Sequence, residues 1–141
     1  MKSINEISFN GKKVFIRVDF NVPFNDEGEI TDNSRIVAAL PTIEFVISSG
    51  GACILASHLG RPDGKNPELS LRKIIPELKK LLCKDVTFLE DLIGDQTKEI
   101  CSNLQNGEIV LLENLRFYEE ETKADIHFAK ELSGLADIYL S

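Results

Sequence analysis

Positive charge is in short supply in this sequence. Lys and Arg together number 16 against 23 Asp and Glu in 141 residues, leaving a net charge of −7. That excess of acid argues against nucleic acid or an anionic membrane as a general partner. Long hydrophobic runs are missing too: the opening MKSINEISFNGKK has none, and no stretch is long enough to span a bilayer. No signal peptide or membrane helix is expected, and the cytoplasm is the default compartment. Cysteine occurs three times, with no C-x-x-C pair. Cys53 opens an apolar run and Cys83 closes one, so both read as core residues in a reducing compartment. Nucleotide motifs are absent as well. No G-x-G-x-x-G occurs, and GRPDGKN (60–66) is one residue too short between Gly60 and Gly64 for a phosphate loop. Asn66 stands where that loop needs a hydroxyl, and Pro62 removes an N–H from the cradle. No His, Cys and acid cluster has metal-ligand spacing.

What is present is an alternation of two patterns. KVFIRVDF (13–20), ACILAS (52–57), VTFLE (86–90), EIVLLEN (108–114) and ADIYL (136–140) read as strands. Their near-continuous apolar character suits strands buried on both faces, as in parallel sheets. Helical spacing fills the gaps. LPTIEFVISSGG (40–51) has Pro41 suited to a first turn and Gly50 to the stop. SLRKIIPELKKLL (70–82) has Ser70 as a cap, with Pro76 expected to weaken or kink its middle. DQTKEICSNL (95–104) is a weaker third helix, and TKADIHFAKELSGL (122–135) a fourth, with Ile126, Ala129 and Leu132 facing inward. The expected fold is α/β: one doubly wound, Rossmann-like parallel sheet with helices on both faces and right-handed crossovers, ending in a strand cut short at residue 140. The segment between the first strand and first helix is long; its NDEG reads as a turn and residues 29–31 as a brief strand or extended arm. Loops of that length are usually functional or mobile.

Ligands of open α/β sheets bind at the carboxyl ends of the strands. Beyond the first strand lie Asp19, Asn21 and, across the long segment, Arg35. Beyond the second lie His58 and Arg61, and beyond the fourth Asn114 and Arg116. The third ends in Glu90 and Asp91, to which no role is assigned. Any one of these arginines alone reads sooner as a surface residue paired to a local acid. Three arginines and a histidine delivered to one edge of an acidic chain favour a small, multiply charged anion, because the guanidinium fork holds phosphate or carboxylate through paired hydrogen bonds. Asp19 is either a counter-ion to the arginines or an acceptor for a substrate hydroxyl. Arg17 alternates with Asp19 and Asn21, but is read as a buried structural arginine. His127 reads as a packed or exposed helix residue.

RVDFNVP (17–23), DNSRIVAALPTI (32–43), SHLGRP (57–62) and LLENLRFYEEE (111–121), followed by FAKELSGLADIY (128–139), together resemble the signatures of phosphoglycerate kinase in order and spacing. The resemblance implies a two-domain enzyme of which residues 1–141 form the amino-terminal, phosphoglycerate-binding domain, incomplete, with the carboxyl-terminal nucleotide-binding domain absent. It implies reversible phosphoryl transfer between ATP and the carboxylate of 3-phosphoglycerate, giving 1,3-bisphosphoglycerate and ADP in glycolysis. Mg-ATP or Mg-ADP would be a cosubstrate bound by the absent domain, with no metal or cofactor in this chain. Carried onto matching positions, His58, Arg61 and Arg116 hold the non-reacting phosphate. Asp19 and Asn21 orient the hydroxyl and carboxylate end, and Arg35, on its long loop, lies nearest the transferring group. Asn114 becomes structural. The whole enzyme is expected to be monomeric and this chain inactive alone. Two other classes stand beside that reading: a non-catalytic α/β module binding an organic phosphate, and a folded piece of the enzyme with no function of its own.

Overall fold

The computed structural model describes residues 10–59, 70–90, 95–114 and 134–140. Among the described residues five strands form one sheet: β1 (Lys13–Arg17), β2 (Ala52–Ala56), β3 (Thr87–Leu89), β4 (Ile109–Leu112) and β5 (Ile138–Leu140). Their order is β3-β4-β2-β1-β5, and every pairing is parallel. The two most apolar strands take the centre, and every residue of β2 and β4 is buried. The edge strands β3 and β5 keep exposed positions, as a strand covered less completely must.

Alternation along each strand feeds two separate cores. Val14, Ile16, Cys53, Leu55, Ile109 and Leu111 point to one face. There they meet Ile36, Ile43 and Val46 of α1 (Ser34–Ser48) and Leu78 and Leu82 of α2 (Ile75–Leu82). Phe15, Ile54, Ala56, Val110 and Leu112 point to the other, with Cys101 of α3 (Asp95–Ser102) and Leu135. Helices on both faces of a parallel sheet make the fold doubly wound. The helix expected over residues 122–135 lies largely outside the described residues, with Ile126, Ala129, Leu132 and His127.

Three local readings are corrected. The first helix starts at Ser34, so Pro41 lies in its interior and not in its first turn. Ile36 and Ile43, seven residues apart and both fully buried, extend the apolar stripe back past the proline. The hydrogen bond lost at Pro41 would have ended on Val37, an exposed position where the loss is tolerated. Asn33 is the N-cap and makes no side-chain capping bond; the residue before it, Asp32, closes a turn at the helix start, its Oδ1 accepting from the Ser34 N–H at 2.9 Å. That bond, then the Ser34 hydroxyl, and more weakly the Arg35 charge hold the Asp32 carboxyl below its ordinary 3.8. Its contribution is complete above the ordinary value and is lost as pH falls through the lowered one.

Arg17 is exposed at the last position of β1, not buried. Cys83 is exposed as well, as the C-cap of α2, with φ at +55°. It lies one residue beyond the buried Leu78–Leu82 stripe, where the chain turns through the left-handed region. A β-carbon is strained there, so Cys83→Gly is expected to stabilise the chain by about 0.5–1 kcal/mol in urea unfolding. Pro76 does interrupt its helix as expected. A 3-10 turn over Leu71–Ile74 precedes α2, Pro76 falls in the first turn of the α-helix, and the Ser70 Oγ accepts from the Arg72 N–H.

Burial raises the thiol pKa of Cys53 to about 12 and that of Cys101 to about 11. Both stay protonated at neutral pH. An aromatic disulfide reagent should therefore label one thiol rapidly in the native chain, Cys83, and all three in denaturant. Rapid labelling of two or more native thiols would contradict the buried positions.

Candidate functional site

The parallel register brings the strand ends into line. Arg17 pairs with Ala56, Leu55 with Leu111, and Leu89 with Leu112. The residues that follow β1, β2 and β4 therefore leave the sheet at one edge. The Val18 N–H donates to the Ala56 carbonyl at 2.9 Å, extending the β1–β2 ladder by one step. Beyond it the chain turns at Asp19, whose Oδ1 accepts from the Asn21 N–H at 3.1 Å.

Arg35 reaches this turn from the first turn of α1, not from a loop, which corrects the expected setting of that residue. Its Nη1 donates to the Asn21 carbonyl at 2.8 Å and to Asp19 Oδ1 at 3.3 Å. Both side chains are about half exposed, at 51% and 59%, so the ion pair adds at most about 1 kcal/mol. One nitrogen makes both bonds. Among the described residues the rest of the guanidinium fork and the second oxygen of Asp19 make none. The counter-ion geometry is present, and it leaves a cation and a carboxylate oxygen side by side at the strand edge.

The segment between β1 and α1 is built rather than loose. Phe24 and Ile30 form an antiparallel bridge, and Asn25 Oδ1 accepts from the N–H groups of Glu27 and Glu29. Gly28 supplies the positive φ of the turn, +79°. Lys73 Nζ lies 4.6 Å from the Phe24 ring centre, tying this arm to the turn before α2.

His58 is half-buried directly after β2. Its neighbour Ser57, 1% exposed, accepts from the Phe20 N–H and donates to the His58 carbonyl, each at 2.9 Å. One hydroxyl thus fastens the turn after β1 to the end of β2. Arg61 and Arg116 lie outside the described residues. Asn114 is fully buried; its Nδ2 donates to the Leu59 carbonyl at 2.8 Å and its Oδ1 accepts from the Leu59 N–H at 3.1 Å. It joins the ends of β2 and β4.

Two residues escaped the sequence reading. Ser57 is a hydroxyl closing an otherwise apolar buried strand, and Glu113 is a carboxylate directly after two buried leucines. Both patterns are visible signals, since a buried polar group requires partners. A separate cleft of about 440 Å³ opens at the end of β3, lined by Arg72, Phe88, Glu90 and Thr97 among others. There Glu90 pairs with Arg72, which also covers the Phe88 ring. None of the Asp19, Asn21, Arg35 and His58 group lines it. Among the described residues no group of three or more His, Cys, Asp or Glu is placed to hold a metal ion, and no helix is long and apolar enough to cross a membrane.

A family model described as phosphoglycerate kinase matches residues 4–141. Phosphoglycerate kinase of Prochlorococcus marinus (strain MIT 9515) is 49% identical over 142 residues, spanning 100% of this chain and 35% of its own length. A cytosolic phosphoglycerate kinase of Arabidopsis thaliana is 45% identical over 139 residues, spanning 99% and 35%. The crystal structure of phosphoglycerate kinase from Pyrococcus horikoshii OT3 superposes with a TM-score of 0.87 at 33% identity, over 99% of this chain and 36% of that one. The chain spans about a third of the length of these relatives.

Proposed function

The chain belongs to the phosphoglycerate kinase family, and from that premise we propose that it binds 3-phosphoglycerate for phosphoryl transfer with ATP. It forms the phosphoglycerate-binding part of a longer enzyme, in which Mg-ATP or Mg-ADP is the cosubstrate held by residues outside this chain. The reaction moves a phosphoryl group between ATP and the substrate carboxylate, reversibly, giving 1,3-bisphosphoglycerate and ADP. The enzyme acts in the cytoplasm as a monomer, without nucleic acid or membrane as partner.

The carrying observation is Arg35, held at the strand edge by the Asn21 carbonyl and Asp19 through one nitrogen, with its side chain about half exposed. Phosphoryl transfer needs positioning and charge stabilisation more than a covalent helper, and a fixed guanidinium supplies both. In the proposed arrangement His58, Arg61 and Arg116 hold the non-reacting phosphate, while Asp19 and Asn21 orient the hydroxyl and carboxylate end. Arg35 then neutralises charge on the group in transit. Dividing the two substrates between parts that close on each other keeps water from the acyl phosphate.

Titration of the chain with 3-phosphoglycerate at low salt, followed by amide NMR shifts, tests this. Peaks of residues 19–21 and 58–59 should move with 3-phosphoglycerate and stay in place with glycerate. Equal shifts with both ligands, or none with either, would remove the strand edge as the phosphate site.

A further inference from the structure

Two adjacent side chains at the end of β4 fasten two distant pieces of backbone. Glu113 is only 8% exposed, and its carboxylate accepts three hydrogen bonds. Oε2 takes the Ser70 hydroxyl at 2.6 Å, while Oε1 takes the N–H groups of Leu71 at 2.9 Å and Asn114 at 2.8 Å. Asn114 holds Leu59 through both its amide atoms. The chain is therefore gripped at Leu59, one residue beyond His58, and again at Ser70–Leu71, from neighbouring positions just past the end of β4. A buried carboxylate is costly to keep unless its lone pairs are filled, and here three donors fill them.

We infer that Glu113 and Asn114 are positioning residues for the anion site, a paired clamp that fixes where the chain after β2 leaves the sheet and where it returns. The inference rests on the phosphoglycerate-binding reading for the purpose of the clamp, though not for its existence. The bonding pattern assigns Glu113 the job of an acceptor and gives its negative charge no direct part in holding substrate. A glutamine can do the same work. Its Oε1 keeps both backbone N–H donors, and its Nε2 donates to Ser70 Oγ in place of the bond that Oε2 received. Aspartate keeps the charge but is one methylene too short to reach all three donors.

Hydrogen exchange at the Leu59 and Leu71 amides, measured with 3-phosphoglycerate affinity in the 141-residue chain, tests the clamp. Glu113→Gln should keep Leu71 protected and affinity within about threefold of the unaltered chain. Glu113→Asp should lower Leu71 protection at least tenfold relative to Leu55 in β2, and weaken binding about tenfold or more. Asn114→Asp, whose carboxylate cannot donate to the Leu59 carbonyl, should lower protection at Leu59 and weaken binding similarly. Glu113→Gln binding as poorly as Glu113→Asp, with Leu71 still protected, would overturn the inference in favour of a role for the charge itself. Unchanged protection in both Asp variants would overturn it outright. If the unaltered chain does not bind 3-phosphoglycerate, the substrate reading falls, and the protection pattern alone upholds or overturns the clamp.

Discussion

Arg35→Ala, placed in an active phosphoglycerate kinase that contains this chain, is expected to lower kcat by about 100–1000-fold while changing 3-phosphoglycerate affinity by less than about tenfold. The magnitude is that of removing one preorganised charge from a developing anionic transition state. The asymmetry follows from geometry. Arg35 Nη1 is already committed to the Asn21 carbonyl and Asp19, so the side chain is fixed before substrate arrives. A group fixed in advance contributes most where charge peaks, in the transition state, and less to ground-state binding. Arg35→Lys keeps the charge and loses the fork, and should fall between the two. Steady-state kinetics with an independent binding measurement decides the matter. A rise in KM with kcat unchanged would place Arg35 among ordinary binding residues.

The largest expected effect on stability is at Leu55. It is fully buried in β2, the central strand, on the face that meets α1 and α2. Leu55→Ala removes apolar contact and leaves a space that strands on both sides prevent from closing, since β1 and β4 flank it through Ile16 and Leu111. The cost should be about 2–5 kcal/mol, against roughly 5–15 kcal/mol for a whole domain. In urea the midpoint should fall by about 1–2 M with little change in slope. A loss below about 1 kcal/mol would mean that this core is not close-packed in solution. Leu55 also supports the site, because Ala56, Ser57 and His58 follow it directly.

The five strands were legible because buried parallel strands are written as short apolar runs, and all five appeared where the runs lie. Their order was not. Nothing in the spacing of 13–20 or 136–140 states that β1 pairs with both β2 and β5. Helix starts were legible only where the local signal was unambiguous. Ser70 acted as the cap it resembles, whereas Pro41 invited a first-turn reading that the stripe through Ile36 overrides. Cys83 followed an apolar run yet terminates a helix, a distinction that apolar content alone does not carry.

The site divided along the same line. Asp19, Asn21 and Arg35 could be chosen because strand ends collect ligand groups, and the structure joins those three directly. That Arg35 arrives on a helix was hidden by the misplaced helix start. Glu113 and Ser57 were missed because their partners lie far along the chain. Leu71 is 42 residues from Glu113 and Phe20 is 37 from Ser57. Periodicity reports which face a residue occupies and is silent on such distant pairings.

β1 and β5 hold each other at Lys13 and Asp137, where the Asp137 N–H donates to the Lys13 carbonyl and the Lys13 N–H returns a bond to Asp137 Oδ2. These residues are 124 positions apart. At ~5–20 residues per second a ribosome needs roughly 6–25 s to cover that interval. During synthesis β2 emerges early enough to claim one side of β1, and the other side stays unpaired until nearly everything between has been translated. One side of β1 is thus paired early and the other only after residue 137 has been made, so a nascent chain carries an open sheet edge through that interval.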